Sequence, residues 1–181
     1  MSSRATLSEA ACELFLERGY EATSIADIAQ RAGVSRSSFF NYFASKSAVL
    51  WSGLDERIER IVRALAETAP AAGVAAIPGI LGGALDDLEP DALALAYTNA
   101  AAMGLEADLL RESAIRQSEL AQAIAAAAAG AGIPALRAEV LGAAWAGAVL
   151  AALRAWAEHG AGRGSLRALL DEASQGLDGL V

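Results

Sequence analysis

The sequence predicts an all-α protein of about nine helices, and three observations carry that expectation. Apolar residues recur at intervals of three and four along most of the chain. Clusters of glycine and proline separate these runs, and Ser or Asp stands ahead of several of them, where a helix needs an N-cap. The first helix is expected over about residues 4–18, with Leu7, Ala11, Leu14 and Phe15 inward and Gly19 as its C-cap. Glu9, Glu13 and Glu17, four apart, line its solvent side. Ser24 with Asp27 three residues on has the spacing of a capping box and opens a second helix, whose Ile25, Ile28 and Ala29 point inward. Gly33 supplies the left-handed residue of a sharp turn, Val34 packs beneath it, and Ser35 caps a third helix. There Phe39 and Phe43 lie one turn apart and are expected to be buried.

The fourth helix is expected over about 45–68, capped by Ser45, with Val49, Leu50, Leu54, Ile58, Ile61 and Leu65 inward. Asp55, Glu56, Arg60 and Arg63 on its other face are placed for ion pairs along the helix, and Pro70 stops it. A shorter helix to about residue 87 is interrupted by Pro78, Gly79, Gly82 and Gly83. Pro90 and Asp91 start the sixth, which ends near Gly104; the seventh spans about 106–129 and is broken by Gly130, Gly132 and Pro134. The eighth covers 135–158. Gly160, Gly162 and Gly164 form a loose connection to the ninth, which Ser165 caps and which carries Leu166, Leu169, Leu170, Ala173 and Leu177.

The inward phenylalanines of the third helix leave Arg36, Ser37, Ser38, Phe40, Asn41 and Tyr42 outside. That face suits DNA. A guanidinium donates two bonds to guanine, an amide bonds base edges or phosphate, hydroxyls reach either, and an aromatic ring meets thymine methyls. Ser35 opens this face, and Tyr42, Ser24 and Lys46 are expected to position the phosphate backbone. An ordinary three-helix core with an incidental polar side is the competing reading. An outward aromatic pair between inward phenylalanines, followed by Ser45 and Lys46, argues against it.

This stretch, from Thr6 to about Leu50, resembles the DNA-binding domain of the tetracycline-repressor (TetR) family of bacterial regulators. The matching features are A-A-x-x-L-F at residues 10–15, G-Y-E-A-T-S at 19–24, I-A-x-x-A-G-V-S at 28–35 and F-F-N-Y-F-A-S-K at 39–46. The resemblance implies a helix-turn-helix DNA-binding domain over 1–47 and a helical ligand-binding and dimerisation domain over 48–181. It also implies a homodimer on palindromic double-stranded operator DNA. Recognition-helix contacts carry over to Arg36, Ser37, Ser38, Phe40, Asn41 and Tyr42, and phosphate contacts to Ser24 and Lys46. Phe40 stands where a tyrosine is common, which removes one hydrogen bond to phosphate.

Charge is divided between the two parts. The 181 residues carry a net −8, yet residues 1–47 hold five basic and five acidic groups, so the excess lies in 48–181. An acidic body weakens nonspecific adhesion to DNA and leaves more of the affinity to specific contacts. Lys46 is the only lysine. The single cysteine, Cys12, excludes an intrachain disulfide, reads as a packing residue in the first helix, and fits a cytoplasmic protein. Residues 1–6 are short and polar, unlike a signal peptide, and the longest uninterrupted apolar stretch, 140–153, is 14 residues, where a membrane span needs about 20.

The last two expected helices are the candidate dimer seam. Trp145 and Trp156, eleven apart, share a stripe with Leu141, Val149 and Ala152, and Gly142, Ala143 and Ala146 are small enough to admit a second helix. The alternative is that the stripe fills a monomer core. For an effector, Trp51, Leu54, Tyr97, Met103, Leu109, Leu110, Ile115 and Trp145 are candidate pocket walls, with Thr98, Asn99, Arg111, Arg116 and Gln117 to orient it. Such a lining favours an apolar or amphipathic molecule. K-S-A-V-L-W after the reading module and A-W-A-E-H-G near residue 158 are similar to actinobacterial members that sense acyl-CoA, where an arginine at the pocket mouth would hold phosphate. Catalysis, a metal and a cofactor are not expected. His159, the only histidine, ends a helix, and Asp86, Asp87, Glu89 and Asp91 lack the spacing of a calcium loop. The function expected is a ligand-responsive repressor, with an activator of the same fold, or a sensor without DNA binding, as alternatives.

Overall fold

Gly19 closes the first helix in the left-handed region (φ +85°), its N–H bonded to Phe15 O at 3.0 Å, so α1 runs Ser3–Arg18 and stops there. A computed structural model describes residues 3–69, 73–86, 88–161 and 163–177. Pro70, Asp87 and Gly162, expected at helix ends and in a loop, lie outside those residues. The capping box at α2 (Ile25–Arg31) forms in full: Ser24 Oγ accepts from Asp27 N at 3.2 Å, and Asp27 Oδ2 accepts from Ser24 N at 2.9 Å. Gly33 (φ +70°) makes the turn to α3 (Arg36–Phe40), where Ser35 Oγ accepts from Ser38 N at 3.1 Å. Thr23, which the sequence reading passed over, is buried and donates its hydroxyl to Gly19 O at 2.8 Å, satisfying a carbonyl at the end of α1.

The body follows with α4 (Ala48–Glu67), α5 (Ile77–Leu85), α6 (Ala92–Thr98), α7 (Ala100–Met103), α8 (Glu106–Gly130), α9 (Ala135–Glu158) and α10 (Leu166–Ser174). Short 3-10 turns precede α5 and follow α10. The described residues thus form ten helices rather than nine, because the expected sixth breaks at Asn99 (φ −117°, ψ 23°). The side-chain amide of Asn99 turns back onto Leu95 O at 2.9 Å, the competition with the helix that asparagine offers. α4 also starts later than expected: residues 45–47 form a turn, with Ser45 Oγ accepting from Ala48 N at 3.1 Å.

Leu50, Leu54, Ile58, Ile61 and Leu65 of α4 are buried as their spacing demands, against α5, α6 and α8. The expected ion pairs along α4 reach other helices instead. Asp55 binds Arg116 of α8 (2.6 Å), Glu56 binds Arg4 of α1 (2.6 Å), and Arg60 donates to Ala84 O (3.2 Å). α8 and α9 pack as an antiparallel pair so close at Gly142 that a Cβ there would lie 2.3 Å from Ala121 O. α10 rests on α9 and α5, with the Arg167 guanidinium over Gly82.

Two expectations about α9 are corrected. Trp145, Trp156, Leu141, Val149 and Ala152 are all buried inside one chain, so this stripe is monomer core and not a seam between copies. Trp156 Nε1 even donates to Gly164 O at 3.1 Å in the loop that follows. α9 as a whole is also long and apolar enough, by length and composition, to cross a membrane, which the 14-residue count concealed. More than half of its most apolar stretch is buried inside the fold, against α6, α8 and α10.

Candidate nucleic-acid interface

Phe39 and Phe43 anchor the outward face of α3 from behind. Both are buried, with ring centroids 5.6 Å apart and the Phe40 ring edge-on to Phe39 at 5.5 Å. With these rings inward, Arg36, Ser37, Phe40, Asn41 and Tyr42 are exposed and Ser38 is half-buried. Phe40 and Tyr42 retain 48% and 43% of their surface, so both rings stand open on this face. The Arg36 guanidinium stands 5.9 Å from the Phe40 ring, a cation–π contact that holds it over the same face. Ser35 Oγ lies 2.8 Å from both Ser37 Oγ and Ser38 Oγ, a hydroxyl cluster at the start of α3. The structure therefore brings Ser35, Arg36, Ser37, Ser38, Phe40, Asn41 and Tyr42 onto one surface.

Ser24 is exposed as well, but its N–H and hydroxyl are both tied to Asp27, whose carboxyl they hold below its ordinary range. Lys46 is the larger departure. Instead of opening α4 with a free ammonium, it is half-buried and donates to Tyr20 O at 2.6 Å and Thr23 O at 3.0 Å, 4.0 Å from the Tyr20 ring. The acidic stripe of α1 is also not free. Glu13 and Glu17 bind Arg31 of α2 at 3.0 and 2.7 Å, which cancels charge near the module and removes Arg31 from the basic groups open to phosphate. Nothing in the spacing of α1 names a partner 14 to 18 residues away.

The candidate effector residues do not form one pocket. Trp51, Leu54, Met103 and Trp145 are closed into the core, and Met103 O accepts from Tyr20 N at 2.8 Å, so Met103 belongs to the joint between module and body. Asn99 bonds its own helix, and Arg111 points outward onto Asp108. Arg116 is held by Asp55 and Glu112 and stacks 4.2 Å from the Trp51 ring. Tyr97 and Leu110 do meet, in a groove of about 480 Å³ between α6, α8 and α9. Leu109, Leu150 and Ala151 floor it, and Glu106, Arg154 and Glu158 stand at its edge. The Tyr97 ring is edge-on to Trp51 of α4 at 6.3 Å, and burial pushes its phenol above the ordinary range, against the opposing pull of Arg154. Among the described residues no three His, Cys, Asp or Glu side chains are grouped to hold a metal.

Residues 7–50 match the family model for bacterial regulatory proteins of the tetR family. Over 71 residues the chain is 37% identical to the HTH-type transcriptional repressor DhaR of Mycobacterium sp., a match covering 39% of this chain and 36% of DhaR. Over 59 residues it is 37% identical to the HTH-type transcriptional activator FasR of Mycolicibacterium smegmatis, covering 33% and 27%. These matches span about a third of the length of the curated relatives. The fold extends the likeness. A crystal structure of Thermus thermophilus FadR, a TetR-family transcriptional repressor in complex with lauroyl-CoA, superposes with a TM-score of 0.51 at 27% identity, over 98% of this chain and 95% of that one. The relatives are regulators of transcription, not enzymes. The three-helix N-terminal module thus matches the tetR family of bacterial regulatory proteins over residues 7–50, and the all-helical body that carries it is similar in fold to FadR.

Proposed function

We propose that the protein is a ligand-responsive transcriptional repressor that binds a palindromic DNA operator as a homodimer in the cytoplasm and is released by a small effector. The observation that carries the reading is the face of residues 36–42, polar and aromatic, exposed, and held rigid by buried Phe39 and Phe43. Two such helices about 34–36 Å apart match successive major grooves. The surface left for a second copy is the outer side of α9, where Leu136 (75% exposed), Val140 and Ala143 follow helical spacing, flanked by the groove to α10.

The effector site favoured is the groove at Tyr97 and Leu110. Its volume fits a small molecule, its floor is apolar and its edge is charged, which suits an amphipathic ligand. The lauroyl-CoA bound by FadR is a molecule of that kind. A ligand pressing on Tyr97 would push its edge contact with Trp51 and so tilt α4, which leads into the module. A fivefold to 150-fold loss of operator affinity requires only about 1–3 kcal/mol of differential binding to the two states. No cofactor takes part.

Gel shifts with palindromic DNA from the region upstream of its own gene test the reading. A dimer that binds one such site specifically and salt-dependently is expected; a protein that ignores every palindrome there is not this repressor. The activator name of FasR keeps a second reading open, an activator of the same fold. An operator upstream of the promoter, rather than overlapping it, would favour that reading.

A further inference from the structure

The residue that departs furthest from its expected role is the chain's only lysine, and its surroundings give it a different one. Three separate contacts hold Lys46 to the loop between α1 and α2: the bonds to Tyr20 O (2.6 Å) and Thr23 O (3.0 Å) and the Tyr20 ring at 4.0 Å. Those carbonyls lie in the loop between Gly19, which closes α1, and the Ser24 cap of α2, so the ammonium sets where α2 begins relative to α4. Tyr20 is in turn held from the body. Its N–H donates to Met103 O (2.8 Å) at the end of α7, and its ring packs edge-on to Phe15 (5.0 Å). Gly19 lies at the same joint, where a Cβ would stand 3.7 Å from Met103 O, an ordinary contact, and its positive φ is what calls for glycine. One loop residue thus receives contacts from α1, from the turn that leads into α4 and from α7.

We infer that Lys46 is a positioning residue and not a phosphate contact: it pins the Tyr20 loop between α4 and α7, and thereby sets the orientation of the DNA-reading helices relative to the body. The inference rests on the DNA-binding reading. An ammonium spent on two carbonyls and a ring has little left for DNA, and a group that neutralises no phosphate releases no counterion when DNA binds. α7 continues from the helix that bears Tyr97, with only Asn99 between, so the joint lies directly downstream of the proposed effector groove.

Two measurements test the assignment on the whole 181-residue chain. In the first, operator affinity is followed against salt for the wild type and Lys46→Met. Loss of the pin should weaken binding about 10-fold at each salt concentration while the log–log slope stays as in the wild type. A slope shallower by about 0.9 in the variant would mean that Lys46 neutralises a phosphate, and would overturn the inference while leaving the regulator reading intact. The second needs no variant. In a lysine-labelled protein the single side chain gives one set of NMR signals, and stacking over Tyr20 should move its Hε protons upfield, in free protein and operator complex alike. Signals at the position of free lysine, or signals that move only when DNA is added, overturn it even if Lys46→Met fails to fold. A wild type that binds no palindrome would instead defeat the regulator reading, with the free-protein spectrum still deciding where the ammonium sits.

Discussion

Phe39 contributes nothing to the surface, yet the proposed recognition face depends on it: with its ring inward, Ser37, Phe40 and Asn41 are turned out. Phe39→Ala removes a fully buried ring and should cost about 3–5 kcal/mol in denaturant unfolding followed by circular dichroism. Loss of operator binding should accompany it; a variant of wild-type stability would show that the ring does not anchor the module. Arg36→Ala acts on the exposed side instead. It should leave stability unchanged and cost about 1–3 kcal/mol at one base position, read as relaxed preference across an operator library. Cys12 offers a control on burial. Its thiol is pushed up to about 12, chiefly by burial and further by the carboxylates of Asp91 and Glu13. At pH 8 the thiolate fraction is then on the order of 10⁻⁴, so a thiol reagent should label the protein only after denaturant is added. Rapid labelling of the native chain would contradict the packing of α1 against α6.

At the scale of the element, the start of α6 shows a cost accepted for a cap. Asp91 Oδ1 accepts from Leu93 N at 3.0 Å and Ala94 N at 3.2 Å, but Asp91 is enclosed by α1 and α4, and that burial holds its carboxyl above the ordinary range despite these bonds and Arg57 nearby. A raised value in the folded state means that the neutral acid is favoured there. Its contribution to stability is complete below the ordinary carboxylate value of about 4, and is lost as the pH climbs through the raised one. Asparagine caps equally well and does not titrate. Asp91→Asn should therefore flatten the fall in melting temperature as the pH is raised above about 4; an unchanged slope would mean that Asp91 does not titrate differently on folding. The α8–α9 pair offers a steric test. The backbone of Ala121 leaves no room for a methyl at Gly142, so Gly142→Ala should force the helices apart at about 1–3 kcal/mol, seen as a lowered melting temperature. No loss would place the helices farther apart than the structure does.

For the whole molecule, the proposed function requires two copies and two states. If the outer side of α9 joins the copies, Ala143→Arg puts a charge in the seam and should give a monomer in sedimentation with operator affinity reduced, at little cost to folding because Ala143 is exposed. A dimer that survives this change does not pair through that face. The caps of α2, α3, α6 and α10, the left-handed turns at Gly19 and Gly33, and the inward phase of α1 and α4 were all legible in the residues, because each depends on neighbours within a turn or so of helix. The exposed face of residues 36–42 was legible for the same reason. What periodicity cannot name is the partner across space. Lys46 finds its carbonyls 23 and 26 residues away, Arg116 finds Asp55 61 residues away, and no local spacing encodes either pairing. α9 is the plainest case: it is apolar almost all round, so composition could mark it for burial without saying which side the monomer would take. The sequence by itself determined the helices and the exposed face of residues 36–42. Only tertiary packing decided that the tryptophan stripe is core, that the groove opens at Tyr97, and that the lone lysine points inward, because these depend on which helices meet and not on how each is built.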